Sequence, residues 1–281
     1  MYQLIAENEN GQRLEMTGNP AFDILNIEGT NPPPANINTI DLANLDGSVF
    51  NSSKVNQRNI VITLNLHDPI EATRLMLYGF FRVKRYIKLY YRNTRRNVYT
   101  TGYVETFENN PFSILQQPII SIICPFPFWL ANAQTSVRFS SSTPLFEFPF
   151  AIPSSGIPFS TKAESAQVTV DVGELETGGI IELIASGTVK NPVFYDLTTN
   201  QYFGVDVTMQ QYDVITINTN AGEKSVSLLR SGVKTNLLSS RKEGSTWLQF
   251  GAGKNTFSFD AEEGAAYLDC ALSFTQKFEG V

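Results

Sequence analysis

The chain has 281 residues, of which 42% are hydrophobic, 12% aromatic and only 17% charged, with a formal net charge of −6. Such a chain can bury a sizeable core as one long or two ordinary domains, and 19 Gly with 14 Pro between short apolar runs favour a mainly β class. Of the 21 Lys/Arg and 27 Asp/Glu, 12 and 11 fall in residues 1–138, leaving 9 and 16 for residues 139–281, so neither half has the strongly positive surface of a general nucleic-acid binder.

At the N-terminus, Met1 to Asn8 shows neither a basic leader nor an apolar run of signal-peptide length. The longest apolar stretch, 119–131, is interrupted by Ser121, Pro125 and Pro127 and falls short of the ~20 residues of a membrane helix, so no membrane partner is expected. Residues 2–7 and 12–16 read as a hairpin around Asn8-Glu9-Asn10-Gly11. Residues 17–45 read as irregular, with Asn31-Pro32-Pro33-Pro34 forming an extended strap.

A loop carrying Asp46-Gly47-Ser48 then leads through Arg58 into a strand at 59–66, where Ile60, Ile62, Leu64 and Leu66 alternate with more polar positions. Asp68, Pro69 and Glu71 make a helix start and predict a helix over 69–81. Its apolar face would be Ala72, Leu75, Met76, Gly79 and Phe80, packed on the sheet. A second hairpin, 85–91 with 98–104, has a basic tip, and an apolar strand runs from Pro118 to Cys124.

The polar, serine-containing stretch 133–143 suggests a boundary near residue 138, with an N-terminal domain of 1–138 and a C-terminal domain of 139–281. The second half is a run of short strands separated by turn residues, the pattern of a sandwich or jelly roll. Its clearest strand is the last, where Ala266, Leu268, Cys270, Leu272 and Phe274 face one way.

Catalytic chemistry is sparse. His67 is the only histidine and precedes a helix start, which suits a structural or exposed residue better than a general base. Cys124 and Cys270 sit in apolar strands as free buried thiols, and no zinc spacing or phosphate-binding glycine loop is present. Glu182, Asp196, Asp206 and Asp213 are candidate members of a glycosidase pair, but scattered acids on strand faces explain them better. Trp129 and Trp247 have apolar neighbours and read as packed aromatics rather than sugar platforms. No catalytic, cofactor or metal-binding residue is assigned. The charge anomaly is an acid-free run between Glu71 and Glu105 holding Arg74, Arg82, Lys84, Arg85, Lys88, Arg92, Arg95 and Arg96, either a solvated face or an interface to an acidic neighbour.

The proline strap, the Asp46-Gly47 loop, Arg58 before Ile60-Val61-Ile62, the Asp68-Pro69 helix and the ending Ile122 to Phe128 together resemble the N-terminal domain of the distal tail proteins of long, non-contractile-tailed bacteriophages. Pro149, Gly156, Gly187 to Pro192, Gly222, Trp247 through Gly251 and Asn255 are similar to the pattern of that family's galectin-like second domain, so the likeness spans nearly the whole chain. Cys124-Pro125-Phe126-Pro127 departs from the family pattern, which carries an acid before the proline-aromatic pair.

The resemblance implies a mainly β protein with a ring-forming N-terminal domain containing one helix and a galectin-like β-sandwich behind it. It implies a structural, non-enzymatic role at the virion tail tip, assembled in the host cytoplasm as a homo-oligomeric ring of six. Partners would be the tail tube protein, a tail-hub protein and a receptor-binding protein, with no cofactor. The candidate interface is Asp46, Gly47, Arg58, Arg82, Arg85, Arg92, Arg95 and Arg96. The alternative reading is a carbohydrate-binding β-sandwich protein without catalytic activity.

Overall fold

A computed structural model describes residues 2–43, 46–140, 142–144, 160–162 and 166–281. Its contacts divide the chain into two compact units, Met1–Asn132 with Lys277–Val281, and Ala133–Gln276. The second unit is therefore an insertion in the first. Nothing in the composition of residues 133–143 announces that the chain returns at its end.

The first unit contains β1 (Gln3–Asn8), β2 (Arg13–Glu15), β3 (Phe22–Glu28), β4 (Ala35–Asp41), β5 (Ser48–Val55), β6 (Arg58–Leu66), α1 (Ile70–Phe80), β7 (Tyr86–Arg92), β8 (Asn97–Glu108), β9 (Ile119–Cys124) and β10 (Trp129–Ala131). Its main sheet runs β2-β1-β7-β8-β9-β6-β3, with β10 pairing to β8 and to the terminal strand Lys277–Phe278. The first turn forms because the Asn8 side-chain oxygen accepts from the Asn10 and Gln12 amides, both at 3.1 Å, while Gly11 supplies a φ of +75°.

β6 behaves as its alternation requires: Arg58, Ile60, Ile62, Leu64 and Leu66 are all buried. The stretch 17–45 corrects its expectation, because β3 and β4 lie within it. β3 pairs with β6 through a bulge between Ile24 and Asn26, which breaks the period of two that would reveal a strand.

The helix is present but presents a different face from the one expected. It buries Thr73 and Leu77 and leaves Ala72, Leu75, Met76 and Gly79 exposed. Leu77 and Phe81 join the core with Phe22, Ile62, Ile120 and Trp129. Pro69, not Asp68, occupies the N-cap position, and no side chain caps the helix.

The second unit contains β11 (Thr135–Ser140), β12 (Ser142–Pro144), β13 (Ser160–Lys162), β14 (Ala166–Asp171), β15 (Gly179–Ala185), β16 (Val189–Asp196), β17 (Gln201–Gly204), β18 (Thr208–Met209), β19 (Val214–Asn218), β20 (Ser225–Arg230), β21 (Val233–Asn236), β22 (Lys254–Glu263) and β23 (Leu268–Phe274). One sheet runs β11-β23-β15-β19-β20-β21 and the other β14-β22-β16-β17, with β18 on β16. Both contribute to one core: Ile181, Leu183, Ile215 and Leu272 from the first, Val170, Phe194, Phe203 and Phe257 from the second. That is a sandwich, as the strand spacing predicts. In β23 Leu268, Cys270, Leu272 and Phe274 are buried as expected, with Ala271 also covered, while Ala266 lies in a short 3₁₀ turn before the strand.

One ion pair in this sandwich joins a buried carboxylate, Asp213, to the partly exposed Arg230. Arg230 Nε lies 2.9 Å and 3.1 Å from the two oxygens of Asp213, whose carboxylate also accepts the Gln210 amide at 2.7 Å. Hydrogen bonding from Arg230, opposed by burial and aided by Gln210, holds the Asp213 carboxyl below its ordinary 3.8. A depressed folded pKa gives stabilisation that is complete above the unfolded value and lost as pH falls through the folded one. Arg230→Gln is therefore expected to lower the urea midpoint at neutral pH. It should also flatten the acid limb below about pH 4 in urea titrations followed by tryptophan fluorescence.

Candidate assembly interface

Arg58 is 2% exposed, so it faces the interior of its own unit. Its guanidinium donates to four backbone carbonyls: Pro127 O at 2.7 Å, Gly29 O at 2.5 Å, Asn31 O at 2.8 Å and Glu279 O. Trp129 lies under it, ring centroid 5.7 Å away. One side chain thus pins the chain before the proline strap, the strap itself, the β9–β10 turn and the C-terminal tail. The tail adds a backbone bond from Val281 N to Thr30 O at 3.1 Å, and Phe278 sits 4.2 Å from the Arg96 guanidinium. Gly29 is held as tightly: a Cβ there would lie 1.9 Å from Asn59 O, and its φ is +80°. Gly29→Ala is expected to lower the urea midpoint of this unit by an amount worth about 2–4 kcal/mol, since both backbone conformation and contact forbid the methyl group.

The basic run does not form one patch. Arg82, Lys84 and Arg85 precede β7, whereas Arg92, Arg95 and Arg96 surround the turn after it, about 20 Å away by strand rise. Arg85 lies 3.5 Å from Glu9 across the first end, an exposed pair of small value. At the other end the Asn93 side chain accepts the Arg95 and Arg96 amides at 2.8 Å and 2.7 Å, which fixes the turn and leaves the Arg92 and Arg95 side chains exposed. Next to them is a cleft of about 590 Å³ lined by Tyr2, Gln3, Thr17 and Arg92, with Glu15 as its carboxylate. It shares Tyr2, Gln3 and Thr17 with an apolar cleft of about 270 Å³ whose walls include Leu4, Ile24, Ile27, Tyr91 and Val281. Side chains of β1 and β3, near opposite ends of the sheet order, thus line one groove.

Asp46 and Gly47 sit at the end of an exposed arm. Among the described residues β4 and β5 pair only with each other, and every residue from Ala35 to Asp41 and from Ser48 to Lys54 is exposed. Gly47, at φ +87°, gives the turn its left-handed residue. Register sets Ile37 and Phe50 on one face and Ile40 opposite Val49 on the other. Ile37 is 66% exposed and Phe50 62%. A two-stranded ribbon is marginal alone, and one with apolar side chains on both faces and two open edges is built to be covered. These four residues escaped the sequence reading, although apolar positions on either side of an Asp-Gly turn are a hairpin signal. A second exposed apolar feature is the β8–β9 loop, where Phe112 is 96% and Ile114 94% exposed.

Several of the remaining candidates have partners within the fold. His67 Nε2 lies 2.8 Å from Asp23 at the surface. Asp196 accepts the Thr198 and Thr199 amides, and Asp213 serves Arg230. Trp129 is fully buried and Trp247 packs on Phe203 at 5.0 Å. Cys124 and Cys270 are free and buried, and burial pushes both thiols up in pKa. Among the described residues no group of three or more His, Cys, Asp or Glu could hold a metal ion.

The model of the phage tail protein RIFT-related domain matches residues 11–124. The match is to a phage tail domain. It spans the arm, the strap, β6, α1 and the basic hairpin, ending at Cys124. Across the whole length the chain has the fold of the SPP1 Dit protein, described as a paradigm of the hub adsorption apparatus of phages infecting Gram-positive bacteria: TM-score 0.68, 12% identity, 99% of each chain covered. A chain of the phage P2 baseplate in its activated conformation with Ca aligns over 100% of both chains with a TM-score of 0.52 and 11% identity. Curated proteins give no significant sequence match.

Proposed function

We propose that this chain is a structural component of the virion tail tip that closes, head to tail, into a ring of six copies joining the tail tube to the adsorption apparatus. The observation that carries the reading is the arm: a hairpin that among the described residues joins no larger sheet, with apolar side chains on both faces, inside the segment that matches a phage tail domain. A contact between two different surfaces of one chain repeats by rotation, and closure into a ring covers every arm at once. The first unit would make the ring. The second buries its own core and would be free to meet neighbours, with the tail tube protein, the tail hub and a receptor-binding protein as partners.

The role is scaffolding rather than catalysis. A carbohydrate-binding reading loses its two platforms, since Trp129 is buried and Trp247 is packed against Phe203. Among the described residues no helix is long and apolar enough to cross a membrane.

Native mass spectrometry of the purified full chain tests the proposal. A single closed species of six subunits without added ligand is expected, and a monomer at tens of micromolar would overturn it.

A further inference from the structure

Accepting the ring, the surface that receives the arm can be read from the same chain. The arm carries Asp41 and Asp46 toward its end, and its one Lys or Arg, Lys54, lies at the base opposite Asn36. The groove between β1 and β3 is its complement. Its floor is apolar, with Ile24, Ile27 and Tyr91, and its rim holds Arg92, with the exposed Arg95 in the adjoining turn. β3 pairs with β6 on one side only, and its seven residues match the seven of β4 in length. We infer that the arm of one copy lies along the β1–β3 groove of the next, its apolar side chains on Ile24, Ile27 and Tyr91 and its carboxylates Asp41 and Asp46 against Arg92 and Arg95.

The other basic end, at Arg82 to Arg85, fits less well. There the lining is polar, Arg85 already faces Glu9, and the cleft is flanked by Asn8, Asn10 and Gln12. Apolar arm residues would gain little from it. Among the side chains lining the two clefts of the β1–β3 groove Glu15 alone is acidic, and two arginines outweigh it.

A charge exchange tests this assignment. Three variants of the full chain are compared with the wild type by native mass spectrometry at low salt, where the Debye length is long enough for the pairs to act: Arg92→Glu with Arg95→Glu, Asp41→Lys with Asp46→Lys, and all four together. Each reversal alone should lower the assembled fraction at least about tenfold, and the fourfold exchange should restore it. All four positions are exposed, so thermal transitions of the variants should match that of the wild type. As a second reading, chains carrying Asp46→Cys are mixed with chains carrying Arg95→Cys and treated with a short bis-maleimide. The native thiols are buried, so the expected product is a dimer containing one of each. Assembly of the wild type together with indifference to Arg92 and Arg95, or without rescue or mixed cross-linking, would overturn the receiving surface and leave the ring standing. A monomeric wild type would overturn the ring itself and this inference with it.

Discussion

Replacing Arg58 with alanine is expected to destabilise the first unit by about 4 kcal/mol, a large part of the roughly 5–15 kcal/mol that holds a domain together. The size follows from what the guanidinium does. It supplies four charge-assisted hydrogen bonds to carbonyls of segments that are 27 to 221 residues from it in sequence. Removing it leaves those acceptors short of donors in the interior and opens a cavity beside Trp129, whose indole nitrogen already lacks a partner. Arg58→Lys should recover only a minor part, because one ammonium cannot reach carbonyls that a planar fork spans. Deleting Lys277–Val281 should act in the same direction, since it removes the Glu279 acceptor, the strand paired with β10 and the ring of Phe278. Urea unfolding in a Trp247→Phe background, where Trp129 reports on this unit alone, checks both. A midpoint unchanged by Arg58→Ala would refute the pinning role. A fragment ending at residue 132 or 138 would lack the tail, so ring formation by the first unit is better tested with residues 277–281 rejoined by a short linker.

The second large effect concerns assembly rather than stability. Ile37→Asp combined with Phe50→Asp should leave the unfolding midpoint of the isolated chain within experimental error, because both side chains face solvent and pack on nothing that folding requires. In the proposed ring each would be buried, a transfer worth about 1.5–3 kcal/mol per side chain. Losing both weakens each subunit contact by about 10²–10⁴-fold. The ring would then give way to monomer at micromolar concentration, measured by light scattering behind a sizing column. If the double variant still formed rings at wild-type concentrations, the arm would not be the ring contact.

Several elements declare themselves in sequence because their causes are local. The alternation of Ile60, Ile62, Leu64 and Leu66 identifies β6, and the Asn8-to-Gly11 turn identifies the first hairpin. The even run of short strands identifies the sandwich, including the buried face of β23. The helix is legible as a helix but not in its orientation. An eleven-residue helix that buries a narrow stripe through Thr73 and Leu77 offers more than one apolar stripe, and only the packing of Leu77 and Phe81 into the core selects one. The arm is obscured by its own chemistry: Asn, Ser and Thr dilute the signal of Ile37, Ile40 and Val49, and no buried face is there to sharpen it. The basic run looks like one cluster because sequence records proximity along β7 and not the length of the strand that separates its ends.

The sequence by itself thus determined the mainly β class, the helix after Pro69 and the resemblance to phage tail proteins, all of which rest on residue type and short-range periodicity. Only the tertiary structure decided that Arg58 is an internal pin, that the last five residues complete the first unit and that the Asp46-Gly47 loop crowns an uncovered arm. Those facts depend on hydrogen bonds and packing between segments up to 221 residues apart. Such contacts leave no periodic trace in the chain, because the donor, an arginine, is fixed by sequence while its acceptors are backbone carbonyls that any residue could supply.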